Sequence, residues 1–173
     1  MTQENQTPLP PHLEALRSKY MQPEDSPGFL LWQVTNRWHR ITREALEPLN
    51  LTYAQFILLT CTVWLTRYGE CVTQVQIAHY AGVDIMMTSQ VLRTLEQKNL
   101  VLRLPHPRDN RAKCVRSTAK GFEIFKAGLT IIEKTNQEFF ESLNEDLGNF
   151  KSALHHLMVK QYLKCCTIFC FTL

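Results

Sequence analysis

Residues 101–121, VLRLPHPRDNRAKCVRSTAKG, decide the fold of this 173-residue chain. Val101 to Leu104 and Lys113 to Ser117 read as two short strands. The tip between them holds Pro105, Pro107, Arg108, Asp109, Asn110 and Arg111, residue types that make turns. Thr118 then opens a helical pattern. Two forked cations on a rigid two-stranded base suit insertion against a phosphate backbone or into a minor groove. An isolated basic hairpin is more often just a solvated surface loop, so the residues before it carry the decision.

Those residues read as two helices joined by a tight turn. Thr73-Gln74-Val75-Gln76 has the form of a capping box, in which the Thr73 hydroxyl accepts from the Gln76 amide and Gln76 reaches back. Val75, Ile77, Ala78 and Ala81 supply the apolar positions of a short helix, and Gly82 stops it. Asp84 is placed to cap a second helix running to about Lys98. Thr88, Val91, Leu92 and Leu95 fall on one face at i, i+3, i+4 and i+7. Met86, Met87, Ser89, Gln90, Arg93 and Gln97 are left to face outward. Helix, turn, helix and hairpin together form a winged helix-turn-helix, whose second helix enters the major groove of DNA.

Charge distribution supports that reading. From Val72 to Gly121 there are eight Lys or Arg against three acids, a segment charge of +5, while the rest of the chain is −2. The overall charge of +3 therefore conceals a basic module on a mildly acidic scaffold. Such polarity directs a protein towards polyanions and makes binding salt-dependent.

Leu51-Thr52-Tyr53-Ala54-Gln55-Phe56-Ile57-Leu58-Leu59, the helix-turn-helix, Asp109-x-Arg111 and Ser117-Thr118-x-x-Gly121 occur in that order. In this they resemble the MarR family of bacterial transcription regulators, over about Gly28 to Met158. The family's wing reads Asp-Pro-x-Asp-x-Arg, followed by Leu-Thr-x-x-Gly. Here His106 replaces the first acid and Ser117 the leucine; protonation of His106 would add a cation to the wing.

The resemblance implies a homodimer bound to a pseudo-palindromic double-stranded DNA operator, and a repressor released by a small aromatic effector. The effector pocket would lie between the dimerising helices and the winged domain. Trp32, Trp38, His39, Trp64 and Tyr68 lie on the helices expected to line it, though each reads first as ordinary core or interface. On the expected DNA face, Gln90 and Arg93 are the best hydrogen-bonding readers of base edges, and Met86 suits contact with a thymine methyl group. Ser89 allows close approach to base or phosphate. Thr73 and Gln74 would anchor a phosphate at a helix N-terminus. Arg108 and Arg111 would probe the minor groove, with Asp109 fixing a guanidinium's direction in a structural role.

The remaining sequence fits a mainly α fold with a small β-wing, a winged helix-turn-helix flanked by N- and C-terminal dimerisation helices. Residues 1–27 hold five of the eight prolines and read as a flexible leader, with a short helical piece possible around His12 to Tyr20. Residues 28–163 read as one domain: dimerisation helices at 28–50 and 119–163, and the winged module at 51–118. A first helix ends before Pro48, and a capping box of Thr52 with Gln55 opens a second, through Trp64 and Leu65. Two more run from about Ala119 to Phe140 and from Leu143 to Leu163. The first of these spans about 33 Å at 1.5 Å per residue, longer than the winged module needs for its own core.

No secretion signal or membrane-spanning stretch is visible, so a cytoplasmic location with free thiols is expected. No glycine-rich phosphate loop, catalytic triad order or paired carboxylates point to an enzyme, and no cofactor is implied. A winged-helix protein-interaction module and a thiol-based redox-responsive regulator are the alternatives. Cys61 and Cys114 read as small buried apolar residues. Cys71 is the best candidate for an exposed thiol, with no cation beside it in sequence. Oxidant-sensing relatives carry their cysteine near the start of the first long helix, where this chain has Phe29, Leu30 and Leu31.

Residues 164–173 form an apolar, cysteine-containing tail. Cys165, Cys166 and Cys170 with His155 and His156 match no established zinc spacing, so no metal is assigned. Cys170-Phe171-Thr172-Leu173 is formally a prenylation box, disfavoured in a bacterial-type regulator. A strand-like extension or an irregular end is the expected form.

Overall fold

The computed structural model describes residues 23–107 and 112–169, the last eleven of these as backbone only. The leader up to residue 22, the wing tip with Arg108, Asp109 and Arg111, and the formal prenylation box all lie outside the described residues. The chain order is α1 (Pro27–Leu46), α2 (Tyr53–Leu65), β1 (Val72–Thr73), α3 (Gln74–Ala81), α4 (Ile85–Gln97), β2 (Val101–Pro105), β3 (Lys113–Ser117), α5 (Ala119–Phe140) and α6 (Leu147–Phe169).

Local chemistry explains most of these boundaries. Thr52 and Gln55 form a reciprocal capping box at α2, as do Thr73 and Gln76 at α3. Gly82, at φ 66°, ends α3 in the left-handed conformation, which glycine adopts without steric cost. The Asp84 carboxylate accepts from the amides of Met86 (2.8 Å) and Met87 (3.1 Å) at the start of α4. Removing that cap by Asp84→Ala is expected to cost about 1 kcal/mol, visible as a lower midpoint in urea with an unchanged slope. At the other end, Asn99 takes φ 58° and turns the chain straight into β2.

The two expected strands pair antiparallel, Val101 with Ser117 through Pro105 with Lys113, the first running one residue past the expected Leu104. A third strand was not anticipated. Val72 and Thr73 pair antiparallel with Val115 and Cys114, so β3 lies at the centre of a sheet ordered β1-β3-β2. The wing is thereby hydrogen-bonded to the residues that immediately precede α3. One core unites the winged module: Phe56, Leu58 and Leu59 of α2, Ile77 of α3, Leu92 and Leu95 of α4, Val101 and Val115 of the sheet, and Ile132 of α5. Val75 departs from the expected apolar face of α3, being half exposed.

Outside that core the long helices are thinly covered. In α1 only Thr42 and Leu46 are buried, while Leu30, Leu31, Trp32 and Val34 are exposed. Trp38 anchors α1 to α5, its indole N–H donating to Asn136 Oδ1 at 3.0 Å. The helix expected from Leu143 begins instead at Leu147, because the preceding turn of Glu141–Asp146 breaks at Asn144 (φ 42°, ψ −117°). The strand-like tail is also corrected: α6 continues as helix to Phe169. No single helix among the described residues is long and apolar enough to cross a membrane.

Candidate nucleic-acid interface

The helix expected to read DNA is held rigidly from behind. Thr88, Leu92 and Leu95 are fully buried, and the Thr88 hydroxyl donates to the Asp84 carbonyl at 2.9 Å. The opposite face presents Met86, Gln90 and Arg93, all exposed, with Ser89 half-buried beside them. Met86 is 77% exposed, so packing against a neighbouring helix does not account for it. Met87 is exposed too, at the side of this face, where it lines a groove with residues of α2.

Thr73 and Gln74 are half-buried at the start of α3. The Thr73 hydroxyl is engaged with the Gln76 amide (3.3 Å) and the Gln76 side chain with the Thr73 amide (2.8 Å). The first amides of any helix lack an intrahelical acceptor, which suits such a position to an anion. Thr73, Gln74 and Val75 line one side of a groove of about 300 Å³, and Arg103, Ala112, Lys113 and Val115 line the other. Lys113 is exposed at its rim and was not singled out from the sequence. Its relation to α3 arises only because β1 seats the wing beside that helix.

The basic count overstates the charges available to a ligand. Arg103 is 14% exposed and pairs with Glu96 at 2.8 Å. Lys98 donates to Gln55 Oε1 at 2.9 Å and to the Asn50 carbonyl. Lys120 reaches the Lys98 carbonyl at 3.1 Å, and Arg116 donates to the Gly69 carbonyl. Four of the eight cations thus tie the module together. Among the described residues of this segment, Arg93 and Lys113 are the exposed cations without such a bond.

A second concavity, about 540 Å³, lies between α1 and the winged module. His39, Tyr53, Ala54, Ile57, Leu58, Ala81, Val83 and Met87 line it. Trp38 meets Tyr53 edge-on, with ring centroids 4.5 Å apart. Burial, followed by the nearby Cys61, pushes the Tyr53 phenol up to about 12. Tyr53 therefore stays a neutral donor and acceptor throughout the physiological range. A phenol with a raised folded pKa stabilises the fold below its unfolded value near 10 and loses that contribution as pH rises towards 12. Alkaline unfolding should accordingly be shallower in Tyr53→Phe. Of the aromatic residues considered for a pocket, only His39 lines this groove. Trp64 and Tyr68 are exposed and carry the Arg67 guanidinium at 4.3 and 4.5 Å from their ring centroids.

The cysteine reading needs correction. Cys61 is buried as expected, and burial raises its thiol pKa. Cys71 and Cys114 are joined as a disulfide, with Cα atoms 5.1 Å apart. The expectation of free thiols at these two positions missed this pairing, because β1 was not legible and nothing else in the sequence brings residue 71 next to residue 114.

Comparison with known proteins agrees with this geometry. The family model described as MarR family matches residues 51–113. The uncharacterized HTH-type transcriptional regulator YdcH of Bacillus subtilis is 42% identical over 82% of this chain and 95% of its own length. The multiple antibiotic resistance protein MarR of Escherichia coli is 32% identical over 69% of this chain and 76% of its own. Among solved structures, a mutant E. coli MarR complexed with operator DNA superposes with a TM-score of 0.66. It is 29% identical, over 83% of this chain and 97% of that one. The Staphylococcus aureus MepR–DNA complex shares the fold, with a TM-score of 0.71 at 23% identity over 78% of this chain and 98% of that one. A capped helix-turn-helix, a wing seated on it and relatives matched across most of their length agree on one conclusion: the chain belongs to the MarR family of winged-helix transcription regulators.

Proposed function

We propose that the protein is a homodimeric repressor that binds a pseudo-palindromic double-stranded DNA operator and is released by a small aromatic effector. The observation that carries DNA reading is the outer face of α4. Met86, Gln90 and Arg93 stand exposed along one line, while Thr88, Leu92 and Leu95 behind them are fully buried. Such a helix presents hydrogen-bonding and apolar groups to base edges without reorganising. Ser89 permits close approach, and Thr73, Gln74 and Lys113 at the adjoining groove suit a phosphate. Arg108 and Arg111, oriented by Asp109, complete the wing in this scheme. The relatives that superpose while bound to DNA support the same use of the fold.

The test is a titration of labelled duplex DNA at several salt concentrations. Lys113→Ala and Arg111→Ala should each weaken binding by a similar factor on every sequence and lower the salt slope by about 1. Unchanged affinity and slope in both variants would reject the phosphate assignments.

The dimer rests on uncovered apolar surface. Leu30, Leu31, Trp32 and Val34 of α1 and Leu157 and Met158 of α6 are all exposed. Two copies related by a two-fold axis would bury these faces together and place two α4 helices on successive half-sites. Sedimentation should show a dimer that Leu31→Glu converts to monomer; a monomeric parent protein would contradict it.

The groove lined by His39, Tyr53 and Met87 is apolar with a phenol at one wall, which suits an aromatic acid or phenol. Because it touches α1, α2 and both helices of the reader, a ligand there is placed to shift the spacing of two α4 helices. A phenolic ligand that lowers DNA affinity in the parent protein should lose its effect in Ala54→Phe, which fills the groove.

A further inference from the structure

Sheet alternation places three chemically soft side chains together at the base of the wing. Thr73 is opposite Cys114 on β1, and Leu104 is opposite Cys114 on β2. Side chains two residues apart on a strand share a face. Cys71, two before Thr73, and His106, two after Leu104, therefore fall on the same face as Cys114, and the opposite face carries Val72 and Val115 into the core. The backbone fixes the last of these positions too, since the His106 amide donates to the Ala112 carbonyl at 3.3 Å. The two sulfurs and an imidazole nitrogen of His106 all lie within 4.8 Å of one another. Cys114 is buried, and Cys71 and His106 are half-buried.

We propose that this triad is a metal site: with Cys71 and Cys114 reduced, their thiolates and the His106 imidazole bind one Zn²⁺, and disulfide formation and metal binding exclude each other. The donor set selects the ion, because thiolates with one imidazole favour thiophilic d¹⁰ cations over Mg²⁺ or Ca²⁺. Tetrahedral ligands at zinc distances stand about 3.5–3.8 Å from one another, which the triad reaches by parting the sulfurs and drawing the imidazole in. Three protein ligands leave a fourth position for water.

The chemistry balances in both directions. Zn²⁺ displaces one proton from each thiol, so two protons leave per ion bound. Returning the disulfide to this state takes two electrons and two protons from a dithiol reductant, which itself becomes a disulfide. The site links β1, β3 and the outer end of β2, so the ion or the disulfide would fix the wing to the residues that precede α3. This inference concerns ion binding and stands independently of DNA recognition.

The test uses the full chain, reduced by a phosphine that is then removed, and titrated with Zn²⁺ against a chromophoric chelator. Co²⁺ is a second probe, read by its thiolate charge-transfer absorption. One ion per chain and two protons released are expected. The disulfide form, prepared separately, should bind none at this site. Cys71→Ser, Cys114→Ser and His106→Asn should each lower affinity by more than the roughly 10–100-fold typical of losing an outer-shell partner. Circular dichroism checks that each variant is folded, and the half-buried Cys71 serves if Cys114→Ser is not. The triple variant Cys165→Ser, Cys166→Ser, Cys170→Ser should bind as the parent does. Absence of stoichiometric binding by the reduced protein overturns the proposal, as does binding that survives Cys71→Ser and disappears in the tail variant.

Discussion

Replacing Gly121 by alanine is expected to destabilise the protein by about 3 kcal/mol or more, at the upper end of typical overpacking costs. At this position a Cβ would stand 1.9 Å from the Leu100 carbonyl oxygen and 2.8 Å from its carbon. The obstacle is backbone, and it is held in place: Leu100 O accepts from the Thr118 amide at 3.0 Å and from the Thr118 hydroxyl at 3.3 Å. Thr118 in turn caps α5 by accepting from the Gly121 amide at 2.8 Å. The Thr-x-x-Gly pattern therefore brings the first turn of α5 against the entrance to β2. At about 2–4 °C per kcal/mol for a chain of this size, the melting temperature should fall by roughly 6–12 °C. Gly148→Ala is the matched control, because nothing lies within 4 Å of its Cβ position. Helix propensity alone makes that change neutral to slightly stabilising. Similar melting temperatures for the two variants would refute the close approach.

The second large effect is on specificity. Gln90→Ala with Arg93→Ala should leave folding nearly unchanged, since both side chains are exposed and such substitutions usually shift stability by less than about 0.5 kcal/mol. Each good bidentate base contact contributes about 1–3 kcal/mol of discrimination. Losing both should reduce the preference for the operator over unrelated DNA by about 2–6 kcal/mol. Binding to random duplex should fall far less, because the wing and Lys113 still serve the phosphates in this scheme. A double variant that keeps its sequence preference would move base reading away from α4.

The parts of this fold legible in the sequence are those set by short-range chemistry. Both Thr-x-x-Gln capping boxes, the Asp84 cap and the Gly82 stop fall where the residues place them. The inward line of Thr88, Leu92 and Leu95 does so too, because a helical period needs only a dozen residues to declare itself. What was missed depends on distant partners. Two residues, Val72 and Thr73, carry no readable strand pattern, and they become one only because β3 offers an edge. The Cys71–Cys114 pairing and the groove beside Lys113 follow from that strand. Charge counting failed for the same reason: Lys98, Arg103, Arg116 and Lys120 look like phosphate ligands in sequence and serve carbonyls and Glu96 in the fold. The break at Asn144 has no local signal strong enough to compete with the apolar pattern around it.

Sequence-specific recognition of duplex DNA is the central claim, and selection of bound sequences from a pool of random duplexes tests it most directly. The expected product is one enriched pseudo-palindrome, its half-sites separated by about one helical turn, with enrichment lost in the Gln90→Ala, Arg93→Ala variant. Recovery of the pool with no sequence enriched would contradict the claim and favour a winged-helix module that binds protein instead.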